Sequence, residues 1–379
     1  MSLRLLPARG TIRGMLRTTV DLEAIAHNVA YMKDVVAPAR LMCVVKADAY
    51  GHGMERVAPV MDTAGADAFG VATLGEAVAL RDVIPTTPIA GWLWDPKEDL
   101  TPALDAGIQI GIPSLEHARA LIATGCQAEV FVMVETGMHR SGVDKQQWEE
   151  TFALLRDAPT LTVLGLMSHF ACADEPEHPH NDHQEAEFRE ALTCARGVGL
   201  ECPVNHMANS PAALTRPSAR FDQVRVGVAL YGLEPVAGRD HGLKPAMTWE
   251  SSVVAVKPVS EGESTSYGLT WTADSDRQLA TVAVGYADGL PRAFQGALKV
   301  GLGGELYPQV GRVCMDQIVV DLGANERGVK AGDHAVIFGE GGMSATELAE
   351  ATGTINYEIV CRPTGRTERF YREGDNNAK

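Results

Sequence analysis

The chain has 379 residues, of which 45% are hydrophobic and 22% are charged, and its formal net charge is −16. This composition is typical of a globular protein that is long enough for one large domain and a smaller one. The negative charge argues against a nucleic-acid partner, because nucleic-acid-binding proteins normally carry basic patches. It leaves room for a small anionic ligand, which needs only helix-start amides and one or two arginines.

The cysteines and the amino terminus indicate where the protein resides. None of the seven cysteines shows metal-finger spacing, which is typical of reduced thiols in a cytoplasmic protein. The segment 1–16 has no apolar core of signal-peptide length. No run approaches the roughly 18 apolar residues of a membrane span. We therefore predict a cytoplasmic protein with a short amino-terminal leader, residues 1–16, and no membrane partner.

Short β-branched runs alternate with amphipathic segments between residues 39 and 232. The strand-like runs are 41–46, 68–72, 88–93, 109–112, 129–134, 163–168, 202–207 and 224–230. Eight strand–helix repeats predict an α/β fold, a parallel sheet closed into a (β/α)8 TIM-type barrel. A doubly wound open sheet is the alternative, but no GxGxxG motif follows the first strand. We predict that the barrel domain spans residues 1–243, with the leader at its start.

The sequence pattern changes after about residue 243. Short strand-like runs such as SSVVAVKPV and QIVVDL are separated by turns, and SATELAEATG is the one clear helix candidate. This pattern of short strands separated by turns is typical of a mostly β domain. We predict such a domain over residues 244–379.

Polar side chains follow several predicted barrel strands at their carboxyl ends, where barrels place reactive groups. Each has a structural interpretation of its own, such as a helix cap or a satisfied histidine. Lys46, in VVKADAYGHG, is either a salt-bridged residue or an amine whose pKa burial lowers for Schiff-base chemistry. Together the residues place an amine, an imidazole, a guanidinium and helix-start amides on one rim: Lys46, His169, Asn209, Ser210, Arg225, Gly227 and Val228.

The segment VVKADAYGHG resembles the cofactor-lysine segment of the alanine racemase family. Four further motifs resemble the family in the same order: TSYGLTW (265–271), GYADGLPR (285–292), GRVCMDQIVVDL (311–322) and INYEIVCRP (355–363). The resemblance extends over roughly residues 17–372. It implies a homodimeric enzyme that uses pyridoxal 5'-phosphate to interconvert L- and D-alanine, with active sites shared between subunits. The implied role is supply of D-alanine for peptidoglycan.

The resemblance also implies roles for individual residues. Lys46 would bind the cofactor and act as one acid/base catalyst, and Tyr267 of the partner subunit would act as the other. His169, held by Arg225, would support that tyrosine, and Arg225 would face the pyridine nitrogen. The implied cofactor-binding residues are Lys46, Tyr50, His169, Asn209, Ser210, Arg225, Gly227, Val228 and Tyr357. The implied substrate-binding residues are Arg140, Met315, Asp316 and the gate residue Tyr286, with Asp174, Arg292 and Arg312 at the outer access.

The chain departs from the family at Met133. Many members have a carbamylated lysine seven residues before the carboxylate-binding arginine, where it orients that arginine. Methionine accepts no charged hydrogen bond, so Arg140 is oriented by another acceptor or is held more loosely. We therefore expect altered substrate affinity or a broader substrate range.

The histidine-rich segment 177–183 raises the possibility of a metal site. Its HxHxxH spacing, broken by a proline, is not that of a helical ligand pair, and the family uses no metal. We predict a solvated loop that runs into a helix, with no metal ligand.

Three alternatives stay open. The first is a serine or broad-specificity racemase of the same fold. An amino-acid decarboxylase that shares the fold is less favoured, because the ordered motifs, including TSYGLTW and CMDQIVVDL, follow the racemase pattern. A non-catalytic pyridoxal-phosphate-binding protein is the alternative from another class. Proteins of that class resemble the barrel alone, whereas this chain adds a second domain that contains Tyr267.

Overall fold

The computed structural model describes residues 14–373, so residues 1–13 of the predicted leader lie outside the described residues. The chain divides into two compact units. The first, the barrel unit, contains residues 21–246 and also Glu373. The second, the β unit, contains residues 14–20 and 247–372.

The barrel unit is built on a parallel sheet. Its strands are β2 (Arg40–Val44), β3 (Ala68–Thr73), β4 (Ile89–Leu93), β5 (Gln109–Ile112), β6 (Ala128–Met133), β7 (Leu161–Met167) and β8 (Gln223–Val226). The strand that precedes them, β1 (Arg17–Asp21), pairs in the sheet of the β unit. Strands β2 to β8 pair in the order β7-β6-β5-β4-β3-β2-β8, and each neighbour is parallel. Their short, mostly apolar sequences suit strands that are buried on both faces.

The sheet closes between β7 and β8 through His206. This residue makes one parallel bridge to each of the two strands. Beside it, the Asn205 side chain accepts a hydrogen bond from the backbone N–H of Leu166 at 3.0 Å and so replaces a ladder hydrogen bond. The predicted strand 202–207 is therefore wrong in its extent, since only a bridge residue remains. The predicted fold class, a barrel followed by a mostly β domain, is confirmed.

Helices cover the connections between the strands. They are α1 (Leu22–Val36), α2 (Lys46–Tyr50), α3 (Met54–Thr63), α4 (Leu74–Arg81), α5 (Thr101–Asp105), α6 (Leu115–Ala123), α7 (Trp148–Arg156), α8 (His180–Gly197) and α9 (Ser210–Thr215). Side-chain caps begin several of them, because an oxygen of Asp21, Thr73 or Ser114 accepts an otherwise unpaired backbone N–H. Among residues 14–373, no helix combines the length and the apolar character that crossing a bilayer requires.

Apolar side chains form a cluster along the barrel strands. Its buried members are Met42, Ala68, Ala90, Phe131 and Met167, and Trp92, Met133, Leu164 and Val204 pack against them. The Trp92 ring lies so close to Gly70 that a Cβ there would be 2.9 Å from Cζ3 of the ring, so only glycine leaves room for it. The Met133 side chain therefore belongs to an apolar cluster.

The β unit is built on antiparallel strands. They are β9 (Met247–Val259), β10 (Ser264–Thr265), β11 (Trp271–Thr272), β12 (Arg277–Val282), β13 (Lys299–Leu302), β14 (Glu305–Val310), β15 (Ile318–Asp321), β16 (His334–Phe338) and β17 (Glu368–Arg372), with helices α10 (Ala345–Thr352) and α11 (Asn356–Val360). The long strand β9 pairs with both β16 and β12. The order β12-β15-β14-β13-β16-β9 thereby closes on itself, and β1 and β17 extend from β9.

Candidate active site

Lys46 follows β2 and begins the short segment α2. The strand ends at Val44, so Lys46 lies two residues beyond the strand whose end we predicted it to be. Residues 47–50 all have positive φ angles, between 52° and 55°. A left-handed conformation costs about 1–2 kcal/mol for each residue with a Cβ. Such strain persists only where the surrounding structure holds it, and it is concentrated at functional sites.

Two carboxylates hold this left-handed turn in place. Glu76 accepts a hydrogen bond from the backbone N–H of Ala47 at 2.7 Å. Asp48 accepts one from the backbone N–H of Met54, also at 2.7 Å. The partly buried Lys46 is thereby fixed at the carboxyl end of β2, with its Nζ 6.0 Å from the centre of the Tyr50 ring.

The turn places the buried Tyr50 against the segment that follows β8. A Cβ at Gly227 would lie 2.4 Å from the Tyr50 hydroxyl oxygen, so this close approach requires glycine. The backbone N–H of Gly227 donates to Oγ of Ser210 at 3.0 Å, and Val228 begins the next turn. Asn209 caps α9 by accepting the N–H of Ala212 at 3.3 Å.

These contacts bring together four of the residues that the family resemblance implies for cofactor binding: Tyr50, Ser210, Gly227 and Val228. Hydroxyl groups and backbone amides beside a glycine suit a phosphate group, which a side chain at position 227 would displace. The arrangement in the barrel unit therefore fits the phosphate of pyridoxal phosphate.

Arg225 is buried at the end of β8 among neutral acceptors. Its guanidinium donates to Nδ1 of His206 at 2.9 Å and to the His206 carbonyl at 3.0 Å. It also donates to the carbonyl of Ser168 and to Nδ1 of His169, the latter at 3.2 Å. Burial and then the nearby charge of Arg140 lower the pKa of Arg225 to about 10. The group therefore keeps its charge at neutral pH, and none of these four acceptors neutralises it.

His169 lies beyond the end of β7, beside these cations. Burial and then the charges of Arg225, Arg140 and Lys46 lower the pKa of His169 to about 3, so its imidazole is neutral at physiological pH. Because arginine only donates, Nδ1 of His169 is the acceptor and the proton lies on Nε2. The side chain therefore presents an N–H donor.

Arg140 is carried by the loop 135–142, which follows β6. Burial alone would raise the pKa of Glu135, but hydrogen bonds from backbone N–H groups, including those of Gly137 and Met138, hold it below its ordinary value. The Glu135 carboxylate thus holds the loop 135–142 in place by accepting hydrogen bonds from its backbone N–H groups. The Arg140 side chain is exposed, while Met133 belongs to the apolar barrel cluster.

In the β unit, Tyr267 lies on a turn between β10 and β11 and is 72% exposed. The same turn is held by Ser266, whose hydroxyl donates to the carbonyl of Arg312 at 2.8 Å. Three residues after Arg312, the side chain of Met315 is 52% exposed. The carbonyl of the preceding residue, Cys314, accepts the N–H of Tyr286 at 3.0 Å. Tyr267, Tyr286 and Met315 are therefore all large side chains that the β unit exposes.

Asp316 belongs to a charged network that the sequence analysis missed. Asp288 is completely buried and accepts from the backbone N–H of Gly285 at 3.0 Å. Arg366 donates to both Asp288 oxygens, at 2.7 and 2.8 Å, and to Asp316 at 2.8 Å. The network ties the turn that contains Tyr286 to the segment that contains Asp316.

The remaining predicted residues lie on other elements. Tyr357 is in α11, and Arg292 begins a 3-10 turn of the β unit, while Asp174 is exposed ahead of α8 in the barrel unit. His206, which binds Arg225, was missed because it belongs to a bridge and not to a strand end. Its place three residues before Asn209, near the end of the predicted seventh strand, was the available signal.

Two family models cover nearly all of the described chain. The model for the amino-terminal domain of alanine racemase matches residues 20–235, and the model for the carboxy-terminal domain matches residues 246–371. The chain belongs to the alanine racemase family. Its cofactor is therefore pyridoxal phosphate, on which this family depends.

Individual alanine racemases are similar over the same length. The chain is 58% identical to the alanine racemase of Corynebacterium efficiens over 360 residues, 94% of this chain and 98% of that one. The crystal structure of alanine racemase from Corynebacterium glutamicum has a TM-score of 0.88 at 52% identity and covers 95% of this chain and 100% of its own. A Bartonella henselae alanine racemase with covalently bound pyridoxal phosphate has a TM-score of 0.89 at 28% identity, with 95% and 100% covered.

We expect His169 to weaken the protein in mild acid. Its pKa in the folded chain, about 3, lies below the ordinary 6.5, so between these values the unfolded chain binds a proton that the folded chain does not. The free energy of unfolding therefore falls as the pH drops from 6.5 towards 3. The fall between pH 7 and pH 5, measured by urea unfolding, should be smaller in His169→Gln. His183→Gln, at an exposed position, should keep the wild-type fall, and equal falls in all three proteins would contradict the assignment.

Proposed function

We propose that this chain is a pyridoxal-phosphate-dependent racemase that interconverts L- and D-alanine. The observation that carries the proposal is the neutral His169 beside Arg225, Arg140 and Lys46. Three cationic side chains at one end of the barrel suit a dianionic phosphate cofactor and a substrate carboxylate. The membership of the chain in the alanine racemase family supports the same reaction.

Different residues of the barrel unit would bind different parts of the cofactor. Lys46 would hold it covalently, while Tyr50, Ser210, Gly227 and Val228 would hold its phosphate. When bound, the cofactor withdraws electrons from the α-carbon of the amino acid and so makes the α-proton acidic. A charged Arg225 facing the pyridine nitrogen would disfavour protonation of that nitrogen. Arg225 would thereby favour return of the proton to the α-carbon over transamination.

Racemisation needs one group to remove the α-proton and another to deliver a proton to the opposite face. Lys46 would act on one face and Tyr267 of the partner subunit on the other. A tyrosine has a pKa of about 10 and is a poor base unless its phenolate is stabilised. The Nε2–H of the neutral His169 is a donor of the kind that a phenolate needs.

The substrate carboxylate would bind Arg140, whose planar guanidinium suits a bidentate pair, together with the backbone amide of Met315. Asp316, which can only accept hydrogen bonds, would line the same substrate site without contacting the carboxylate. Tyr286 and Tyr357 would narrow the access to a small side chain, with Asp174, Arg292 and Arg312 at the outer access. The exposed Tyr267 and Met315 support a partner subunit that covers them.

We further propose a cytoplasmic homodimer that supplies D-alanine for peptidoglycan. The exposed apolar and aromatic side chains of the β unit support the dimer. Free cysteines at all seven positions are consistent with a reducing compartment. A racemase with a broader substrate range is the second candidate, because Met133 supplies no charged acceptor for Arg140.

A chiral assay with the purified protein and pyridoxal phosphate tests the reaction. L-alanine, L-serine, L-lysine and L-arginine are offered separately, and formation of each D-enantiomer is followed. We expect conversion of alanine far above that of the others, because the gate tyrosines favour a small side chain. Comparable rates would instead establish the broad-specificity enzyme. No racemisation despite intact absorbance of the bound cofactor would contradict the catalytic assignment.

A mixing experiment tests whether the active site is shared between subunits. Lys46→Ala and Tyr267→Phe are each expected to be inactive in racemisation, and Tyr267→Phe should keep the absorbance of the bound cofactor. Dissociation and reassociation of an equal mixture should restore about a quarter of the wild-type activity. Half of the dimers are then hybrids, and each hybrid has one site with both intact residues. Each variant treated alone is the control, and a mixture that stays inactive would contradict shared sites.

Met133→Lys tests the departure from the family. A lysine at this position can be carbamylated in the family manner and then supplies an acceptor for Arg140. We expect a change in the KM for alanine, in the ratio of serine to alanine turnover, or in both. Met133→Leu keeps the apolar volume and should behave as the wild type. Unchanged affinity and unchanged substrate profile in Met133→Lys would refute the idea.

A further inference from the structure

The histidine-rich segment 177–183 contributes to a clamp across two loops of the barrel unit. Among residues 14–373, no group of three histidine, cysteine or carboxylate side chains is placed to hold a metal ion. Instead, side chains in the first two turns of α8 contact the loops that carry Arg140 and His169. Asn181, for example, donates to the carbonyls of Cys172 and Glu175, at 3.1 and 3.0 Å.

His180 contacts the Arg140 loop directly. Its Nε2 lies 2.9 Å from the carbonyl oxygen of Gly137, and a carbonyl only accepts, so Nε2 carries the proton. The ring packs so closely that a Cβ at Gly137 would lie 2.8 Å from the Cε1 atom of His180. The neutral and the protonated imidazole both donate from Nε2, so this hydrogen bond survives a change of charge.

Gln184, one turn along α8, connects the same loop to the His169 loop. It is completely buried, and its Nε2 donates to Oγ1 of Thr136 at 3.2 Å and to the carbonyl of His169 at 3.0 Å. Its Oε1 accepts the N–H of Ala171 at 2.8 Å. Thr136 in turn lies 2.7 Å from Oγ of Ser168. The start of α8 is thus a rigid support from which His180 reaches the Arg140 loop.

The hydrogen bond from His180 to the Arg140 loop matters because the barrel cluster provides no acceptor for Arg140 at position 133. Met133 is apolar, and within the described ranges the Arg140 guanidinium has no hydrogen-bond or ion-pair partner. The position of Arg140 then depends on the backbone of its loop. Positive φ angles at Gly137 and His139, 130° and 53°, set the direction of that backbone.

We propose that His180 is a positioning residue that orients Arg140 by holding the carbonyl of Gly137. It does so from α8, outside the substrate site, in place of an acceptor at position 133. The inference rests on the proposed function, in which Arg140 binds the substrate carboxylate. Since the hydrogen bond acts on the binding of substrate and not on proton transfer, its loss should affect KM more than kcat.

The test compares variants of the holoenzyme. His180→Phe keeps a ring of similar size and removes the donor, whereas His180→Gln keeps an N–H donor at the end of the side chain. We expect His180→Phe to raise the KM for alanine about fivefold, the equivalent of one hydrogen bond, with kcat within about twofold. His180→Gln should restore most of the affinity. His183→Phe, on the exposed neighbouring histidine, should change neither constant.

Arg140→Gln, measured in parallel, separates this proposal from the proposed function. A large rise in KM for Arg140→Gln with no rise for His180→Phe overturns the positioning role and leaves the carboxylate site in place. No rise for Arg140→Gln overturns the carboxylate site itself. If His180→Gln behaves as His180→Phe does, the hydrogen bond is not the cause and the positioning proposal is wrong. Retained absorbance of the bound cofactor in every variant shows that the comparison is made on folded, loaded protein.

Discussion

The buried guanidinium of Arg225 is the interaction on which the rest of the candidate site depends. A buried charge is costly unless donors and acceptors around it are satisfied, and here all four acceptors are neutral groups. The charge is therefore solvated but not cancelled. Burial is the larger cause of the low pKa of His169, and the charge of Arg225 lowers that pKa further. The hydrogen bond from Arg225 fixes which ring nitrogen of His169 carries the proton. Arg225 thus sets the tautomer and the orientation of its neighbour, and a carboxylate partner would have neutralised the guanidinium.

The left-handed turn after β2 has a strained backbone, and this turn determines where Lys46 lies. Four consecutive residues with positive φ cost several kcal/mol together, on the order of 4–8 kcal/mol, yet they are the route by which the chain leaves the strand after Lys46. The compensating contacts come from a different element, since Glu76 in α4 accepts the N–H of Ala47. The tight approach of Tyr50 to Gly227 follows from the same turn. The same turn therefore carries the backbone strain and sets the position of Lys46.

Much of this architecture could be predicted from the sequence, because periodic apolar runs report burial directly. Seven of the eight predicted barrel strands correspond to observed strands within four residues at each end. The segment 202–207 failed because a side chain, that of Asn205, replaces backbone pairing there, and no periodicity records such a substitution. Gln184 was missed for a related reason. A glutamine in a helix is ordinarily solvated, and only the packing of α8 buries it against two loops.

Met133 and His180 together bear on a single requirement, the orientation of Arg140. A carbamylated lysine would introduce a charge beside the Met42, Phe131 and Met167 side chains of the barrel cluster, and burying a charge there costs free energy even when Arg140 pairs with it. A support applied from α8 to the loop backbone avoids that cost, because the Gly137 carbonyl needs a hydrogen-bond partner in any case. It also leaves the guanidinium of Arg140 free of a fixed anion. The orientation of Arg140 then depends on backbone geometry, and the charge that faces a substrate carboxylate is undiminished.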